Sequence, residues 1–264
     1  MAMTHRYGEG CHSASPSDCP FMRAGRANHP RIQAVEAFPD CKSSDRKLRL
    51  FACACYHRIR HLLPDARAQV AVDVAEQVAD GIMLEVERQR AEARIREPID
   101  ALEGRWRASQ GAEHIALLPT HEALALAGVI LWDQAQKAAY YASSNASHTC
   151  AAIANPGSAS YDSKFIASEA GEKQVQTDLL RCIFGTLPFR SRFLDPSWLA
   201  CSNAVTKLAQ SIYDDRIFDR LPMLADAFEG AGCHDAEMLS HCRQPGPHVR
   251  GCWVVDLLLG RVTP

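Results

Sequence analysis

No uninterrupted apolar run in this 264-residue chain approaches the ~18–20 residues that a membrane-spanning helix needs, so a membrane partner is not expected. The first thirty residues also lack the apolar centre of an export signal, carrying His5, Arg6, Glu9, Asp18, Arg23 and Arg26 in its place. A cytoplasmic location is therefore expected. Charge of one sign is missing too: Lys+Arg 29 against Asp+Glu 31 leaves a net −2, which provides no global field for phosphate backbones. Strand-like alternation is almost absent. So are the compact catalytic fingerprints: no Gly-x-Ser-x-Gly elbow, phosphate-cradling glycine loop, His-Glu-x-x-His, Cys-x-x-Cys or dinucleotide motif occurs. No catalytic residue is assigned, and the chain reads as a non-enzymatic module with a protein partner.

What is present is helical periodicity on a 47% apolar composition. The expected class is all-α, an irregular multi-helix bundle with an irregular N-terminal arm. Residues 1–40 mix Gly, Pro, Ser and isolated charges and form that arm. Residues 41–142 form an N-terminal helical region, 143–163 a Ser/Asn/Gly-rich linker or surface loop, and 164–264 a C-terminal helical region.

Within this frame, Ser44 caps a first helix through Leu48, Phe51, Cys55, Ile59 and Leu62, stopped by Pro64. Asp65 caps a second, with Val70, Val74 and Val78 as its core face and Asp80-Gly81 as its end. The charged stretch from Leu84 to Arg107 suits a solvated helix broken at Pro98, and Thr120 opens an Ala/Leu-rich helix reaching Tyr141. Beyond the linker a helix ends at Gly185. Asp195-Pro196 starts another, Val205, Leu208 and Ile212 mark a third, and Phe218 to Phe228 a fourth. Asp235 caps a short helix to Cys242, and the last helix runs from His248 to Leu259.

Eleven cysteines, an odd number without an export signal, read as thiols, and most need no role beyond that of small apolar residues. The exception is a dense group, Cys233-His234, His241-Cys242, His248 and Cys252. With Pro247 at a helix start, His248 and Cys252 stand at i and i+4, Cβ atoms ~5–6 Å apart, near enough to share one ion. The Gln244-Pro245-Gly246-Pro247 turn would fold His241 and Cys242 back towards them. Cys233, His241, Cys242, His248 and Cys252 are thus candidate ligands for zinc, with Asp256 as a hydrogen-bond acceptor behind an imidazole. The same cluster with three ligands and an open position would suit a metal- or thiol-dependent enzyme. The alternative is a packed core of thiols with imidazoles at helix ends. Asp256, inside the Trp253 to Leu259 apolar run, needs a partner, which Arg46, Lys47 or Arg49 could supply.

Two weaker patterns lie on the first helix. Cys53, His57 and His61 recur at i, i+4, i+8, opposite the apolar face, where solvent or a partner helix is expected. Arg46, Lys47, Arg49, Arg58 and Arg60 make it locally basic, the basis of a nucleic-acid alternative, although aromatic interleaving is lacking.

The stretches SDRKLRLFACAC (Ser44 to Cys55), FDRLPMLAD (Phe218 to Asp226) and GPHVRGCWVVDLLLG (Gly246 to Gly260) resemble an all-helical bacterial family to which no activity is attached. The resemblance covers roughly residues 42–82 and 177–260. It implies matching positions for Cys233, His241, Cys242, His248, Cys252 and Asp256. It departs at Tyr56 and His57, where the family pattern has cysteine and arginine.

Overall fold

The computed structural model describes residues 44–62, 65–158, 160–185 and 203–261. The expected arm and the Asp195-Pro196 helix start lie outside them. Among the described residues there are ten α-helices and no strand, so the all-α class holds. In chain order they are α1 Asp45–Ile59, α2 Ala66–Ala79, α3 Glu85–Ala108, α4 Gly111–Val129, α5 Ala135–Ala154, α6 Ser163–Phe184, α7 Asn203–Asp215, α8 Leu221–Gly230, α9 Ala236–Arg243 and α10 Trp253–Leu258.

Helix α1 is the axis. Every residue from Leu48 to Tyr56 is buried, because α2, α4, α5 and α6 all pack on it. Ser44 caps it, its hydroxyl accepting from the Lys47 amide at 3.3 Å. On α2, capped by Asp65, the buried apolar residues are Ala68, Ala71, Val72, Val74 and Ala75, so that of the expected Val70, Val74 and Val78 only Val74 is buried. Val70 is half exposed and Val74 sits at the edge of the buried set. Small alanines let α2 approach α1 closely, which a valine stripe would prevent.

One expected break does not occur, and one helix starts earlier than expected. Helix α3 runs through Pro98, which is buried, and α4 begins at Gly111 and runs through Pro119. A proline removes one i→i−4 bond, but packing of α3 against α2 and α4 holds the helix on both sides. Conversely, the expected single helix from Thr120 to Tyr141 is two, broken at Ile130 to Gln134. Residues Ser143 to Ala154 belong to α5, so the connection shrinks to what lies between Ala154 and Ser163, inside a unit spanning Ser44–Pro264.

The basic residues of α1 explain that break and much else. Arg49, only 6% exposed, donates to the carbonyls of Ile130 (3.0 Å), Trp132 (2.8 Å) and Asp133 (3.2 Å). It thereby satisfies acceptors that the end of α4 leaves unpaired, and its charge opposes the negative helix terminus. Lys47 does the same for α6, donating to the Ile183 carbonyl at 2.7 Å. Arg58 pairs with the buried Glu172 of α6 at 2.7 Å.

The C-terminal helices α7 to α10 enclose a second apolar core around Ile212, Tyr213, Leu224, Phe228, Met238 and Val254. Asp235 caps α9, accepting from the amides of Glu237 and Met238 at 3.0 Å each. The last helix is shorter than expected. It starts at Trp253, and His248 to Cys252 form an irregular turn closed by the Cys252 amide on the Val249 carbonyl at 2.9 Å. Gly251 is the cause: its φ is +90°, and a Cβ there would lie 2.9 Å from Leu50 Cδ1. Gly251→Ala is therefore expected to lower stability by about 1–3 kcal/mol, from left-handed strain plus the clash, measured by urea denaturation. A variant as stable as the parent would show that the turn is not pinned against α1.

Candidate metal centre

The side chains that the sequence groups together are divided by the fold. His241 comes from the last turn of α9, His248 from the irregular turn and Cys252 from the residue capping α10. Their fourth neighbour is Cys182, in the last turn of α6, and neither Cys233 nor Cys242. One donor atom from each of Cys182, His241, His248 and Cys252 lies within 4.8 Å of all the others. Cys233 and Cys242 are buried in the second apolar core, and burial pushes both thiols up, Cys242 most strongly. They behave there as small apolar side chains.

The distances suit a tetrahedral ion. With bonds of ~2.3 Å to sulfur and ~2.0–2.1 Å to nitrogen, a Cys2His2 site has S···N separations of ~3.5 Å. His241 Nε2 is 3.3 Å from Cys252 Sγ, and His248 Nδ1 is 3.6 Å from Cys182 Sγ. The far side of each imidazole is also held. His248 Nε2 lies 3.2 Å from the Gln244 carbonyl oxygen, which can only accept, so Nε2 carries a proton: the charged ring donates inward through Nδ1, and the neutral ring, the form that ligates a metal, offers the Nδ1 lone pair there. His241 Nδ1 meets the Gln244 side-chain amide at 3.3 Å, and that amide can turn its donor or its acceptor end to the ring. One residue, Gln244, thus orients both rings.

The electrostatics favour a thiolate at the centre. Burial pushes the Cys252 thiol up, but hydrogen bonds from Cys182, His241 and His248 outweigh it and hold Cys252 well below the ordinary thiol range. Cys182 moves the other way, raised by burial and by its neighbour's charge. Burial lowers His248, but its hydrogen bond to Cys252 more than offsets this and leaves it raised. A thiolate surrounded by hydrogen-bond donors is the arrangement that a cation replaces when it binds and the protons leave.

Asp256 has a different partner from the imidazole acceptor role read from its spacing. It is fully buried and accepts two hydrogen bonds from Arg46, at 2.6 and 2.9 Å. Burial pushes its carboxyl up while Arg46 pulls it down. Arg46 also donates to Asp80, which accepts in addition from Tyr213 Oη at 2.6 Å and Arg250 at 2.8 Å. The guanidinia of Arg250 and Arg261 stack on the Tyr213 ring at 4.7 and 4.3 Å. This network ties α1, α2 and α7 to the turn that carries His248 and Cys252.

One turn along α2 from Asp80, the buried Glu76 accepts from His57 at 2.9 Å and from Arg216, with Arg250 at 3.4 Å and Asp73 flanking Arg216 at 3.6 Å. Despite burial, these partners hold the Glu76 carboxyl down to about 2. Its folded value lies below the ordinary 4.5, so its contribution to stability is complete above pH ~4.5 and is lost as pH falls towards ~2. At 1.36 kcal/mol per unit the contribution is about 3 kcal/mol. Glu76→Gln is expected to flatten the stability profile between pH 4.5 and 2.5 relative to the parent. Equal acid sensitivity in the two proteins would contradict the assignment.

His57 is thus committed to Glu76, and Cys53 is buried in the core, so the Cys53, His57, His61 stripe does not come together as a site. Arg46, Lys47 and Arg49 are likewise engaged inside the fold, and Arg58, although exposed, is paired with Glu172, which leaves Arg60 as the one member of the expected basic face without an ion pair among the described residues.

No protein-family profile, curated protein or solved structure matches the chain. No described helix is long and apolar enough to cross a membrane.

Proposed function

We propose that the chain is a non-enzymatic helical scaffold, stapled by one structural zinc ion on Cys182, His241, His248 and Cys252, that serves as an interaction or regulatory module. The observation that carries this reading is the closed four-donor set, three of its donors buried and both imidazoles braced by Gln244. Two sulfurs and two nitrogens suit zinc and leave no position for a substrate or an activated water. An enzyme using the same cluster would need one donor to withdraw.

A protein partner is favoured by apolar surface. Ile82, Leu84 and Val86 are exposed at the α2–α3 junction, and a groove of about 900 Å³ is lined by Leu62, Ile115, Leu118, Ile153 and Phe165. A nucleic-acid role has little left to work with once three of its five basic residues are turned into the fold and a fourth, Arg58, is paired with Glu172.

Cobalt substitution in the full chain, purified without a histidine tag, separates structure from catalysis. The scaffold reading expects one ion per chain, with tetrahedral absorption bands that azide leaves unchanged. A spectrum that shifts with azide would mark an open coordination position and an enzyme, and no bound metal would refute both.

A further inference from the structure

We infer that a cleft behind His248 is a binding site for a phosphate group carried by a small molecule. The cleft, of about 280 Å³, opens between the end of α1, the α7–α8 junction and the metal-bearing turn. Its polar wall is Arg60, Arg216, Arg250 and His57, and its floor is apolar, with Leu50 and Phe218. Three guanidinia and two imidazoles, those of His57 and His248, therefore line a space that holds one carboxylate, Glu76.

That carboxylate does not balance them. Glu76 is taken up by Arg216, Arg250 and His57 together, while from outside the cleft Asp80 completes the pairing of Arg250 and Asp73 flanks Arg216 at 3.6 Å, which leaves Arg60 as the unpaired charge. Arg60 is exposed and makes no ion pair among the described residues. His57 leaves Nδ1 buried and without a partner. The cleft thus keeps one guanidinium without an ion pair, that of Arg60, beside two guanidinia whose remaining N–H groups can donate further.

The backbone supplies an independent sign. Arg216 has φ +56°, the one non-glycine left-handed residue among those described, directly after the last turn of α7. A long side chain in that conformation is strained, and such strain is retained where the residue must be aimed. Here it brings the Arg216 guanidinium to the cleft wall. Several guanidinia with fixed fork geometry suit a phosphate, which offers three oxygens and up to two charges, better than a carboxylate, which offers two oxygens and one.

The inference does not rest on the metal, although His248 lies on both sites. It is tested by calorimetric titration of the full chain with inorganic phosphate, and separately with succinate, each against sodium chloride at equal ionic strength. Metal content is measured before and after, so that loss of an ion is not mistaken for anion binding. Saturable phosphate binding, tighter than that of succinate and weakened about tenfold in Arg60→Gln, is expected, since one charge-assisted hydrogen bond is removed from an exposed residue that the fold does not use. No binding at millimolar phosphate, tighter binding of succinate, or a phosphate affinity unchanged by Arg60→Gln would overturn it.

Discussion

On the proposed zinc assignment, replacing Cys182 by alanine abolishes metal binding, whereas replacing Cys233 or Cys242 leaves it intact. Cys182 stands 59 to 70 residues before the other donors in the chain, yet its sulfur is 3.6 Å from His248 Nδ1. An ion held there joins the C-terminal end of α6 to the ends of α9 and α10. At free metal a thousandfold above Kd, binding stabilises the folded state by about 4 kcal/mol, so Cys182→Ala should lower Tm by on the order of 10 °C. The Cys233→Ala and Cys242→Ala variants lose packing alone and retain one ion per chain. Metal analysis and calorimetric melting of the three proteins check this together. Metal lost from Cys233→Ala or Cys242→Ala but kept in Cys182→Ala would reverse the ligand assignment.

The second large effect is expected at Asp80. It is a fully buried carboxylate on which Arg46, Arg250 and the Tyr213 hydroxyl converge, with Arg261 at 3.5 Å. Removing one partner from a buried ionic group leaves the opposite charges without compensation, typically a loss of 3–5 kcal/mol. Asp80→Ala is therefore expected to lose stability in that range by denaturant unfolding, and more than Asp65→Ala, which removes an exposed cap worth about 1 kcal/mol. Equal losses in the two variants would show that the network contributes no more than an ordinary cap. Because the network also anchors Arg250, two residues from both His248 and Cys252, Asp80→Ala is expected to weaken metal binding as well.

The sequence carries some of this plainly. Ser44, Asp65 and Asp235 mark helix starts because a short oxygen-bearing side chain must accept the free amides of a first turn, and each does so. Gly185 marks the end of α6 in the same local way, with φ +85°. The convergence of His241, His248 and Cys252 is likewise readable, since a Pro/Gly turn joins them within a dozen residues. Cys182 is not, because only the packing of α6 against α10 brings it near, and no spacing encodes that contact. Its one local signal is its place in the last turn of a helix whose neighbouring carbonyl, that of Ile183, is capped by Lys47.

Other misreadings share one cause, the replacement of local preference by tertiary partners. Pro98 and Pro119 are helix breakers in isolation, but their helices are held from outside. Arg46, Lys47 and Arg49 look like a solvated basic face until the ends of α4 and α6 and the buried Asp80 and Asp256 are placed around α1. Asp256 stands as an anomaly in an apolar run, and the sequence correctly demands a cation for it; Arg46 is the one among the three candidates that the fold supplies.

X-ray absorption at the zinc edge tests the central claim most directly, because it counts donor types around an ion in the intact chain. The account predicts a four-coordinate shell of two sulfurs at ~2.3 Å and two imidazole nitrogens at ~2.0–2.1 Å. A shell of nitrogen and oxygen alone, or more than two sulfurs, would contradict the assignment of Cys182, His241, His248 and Cys252.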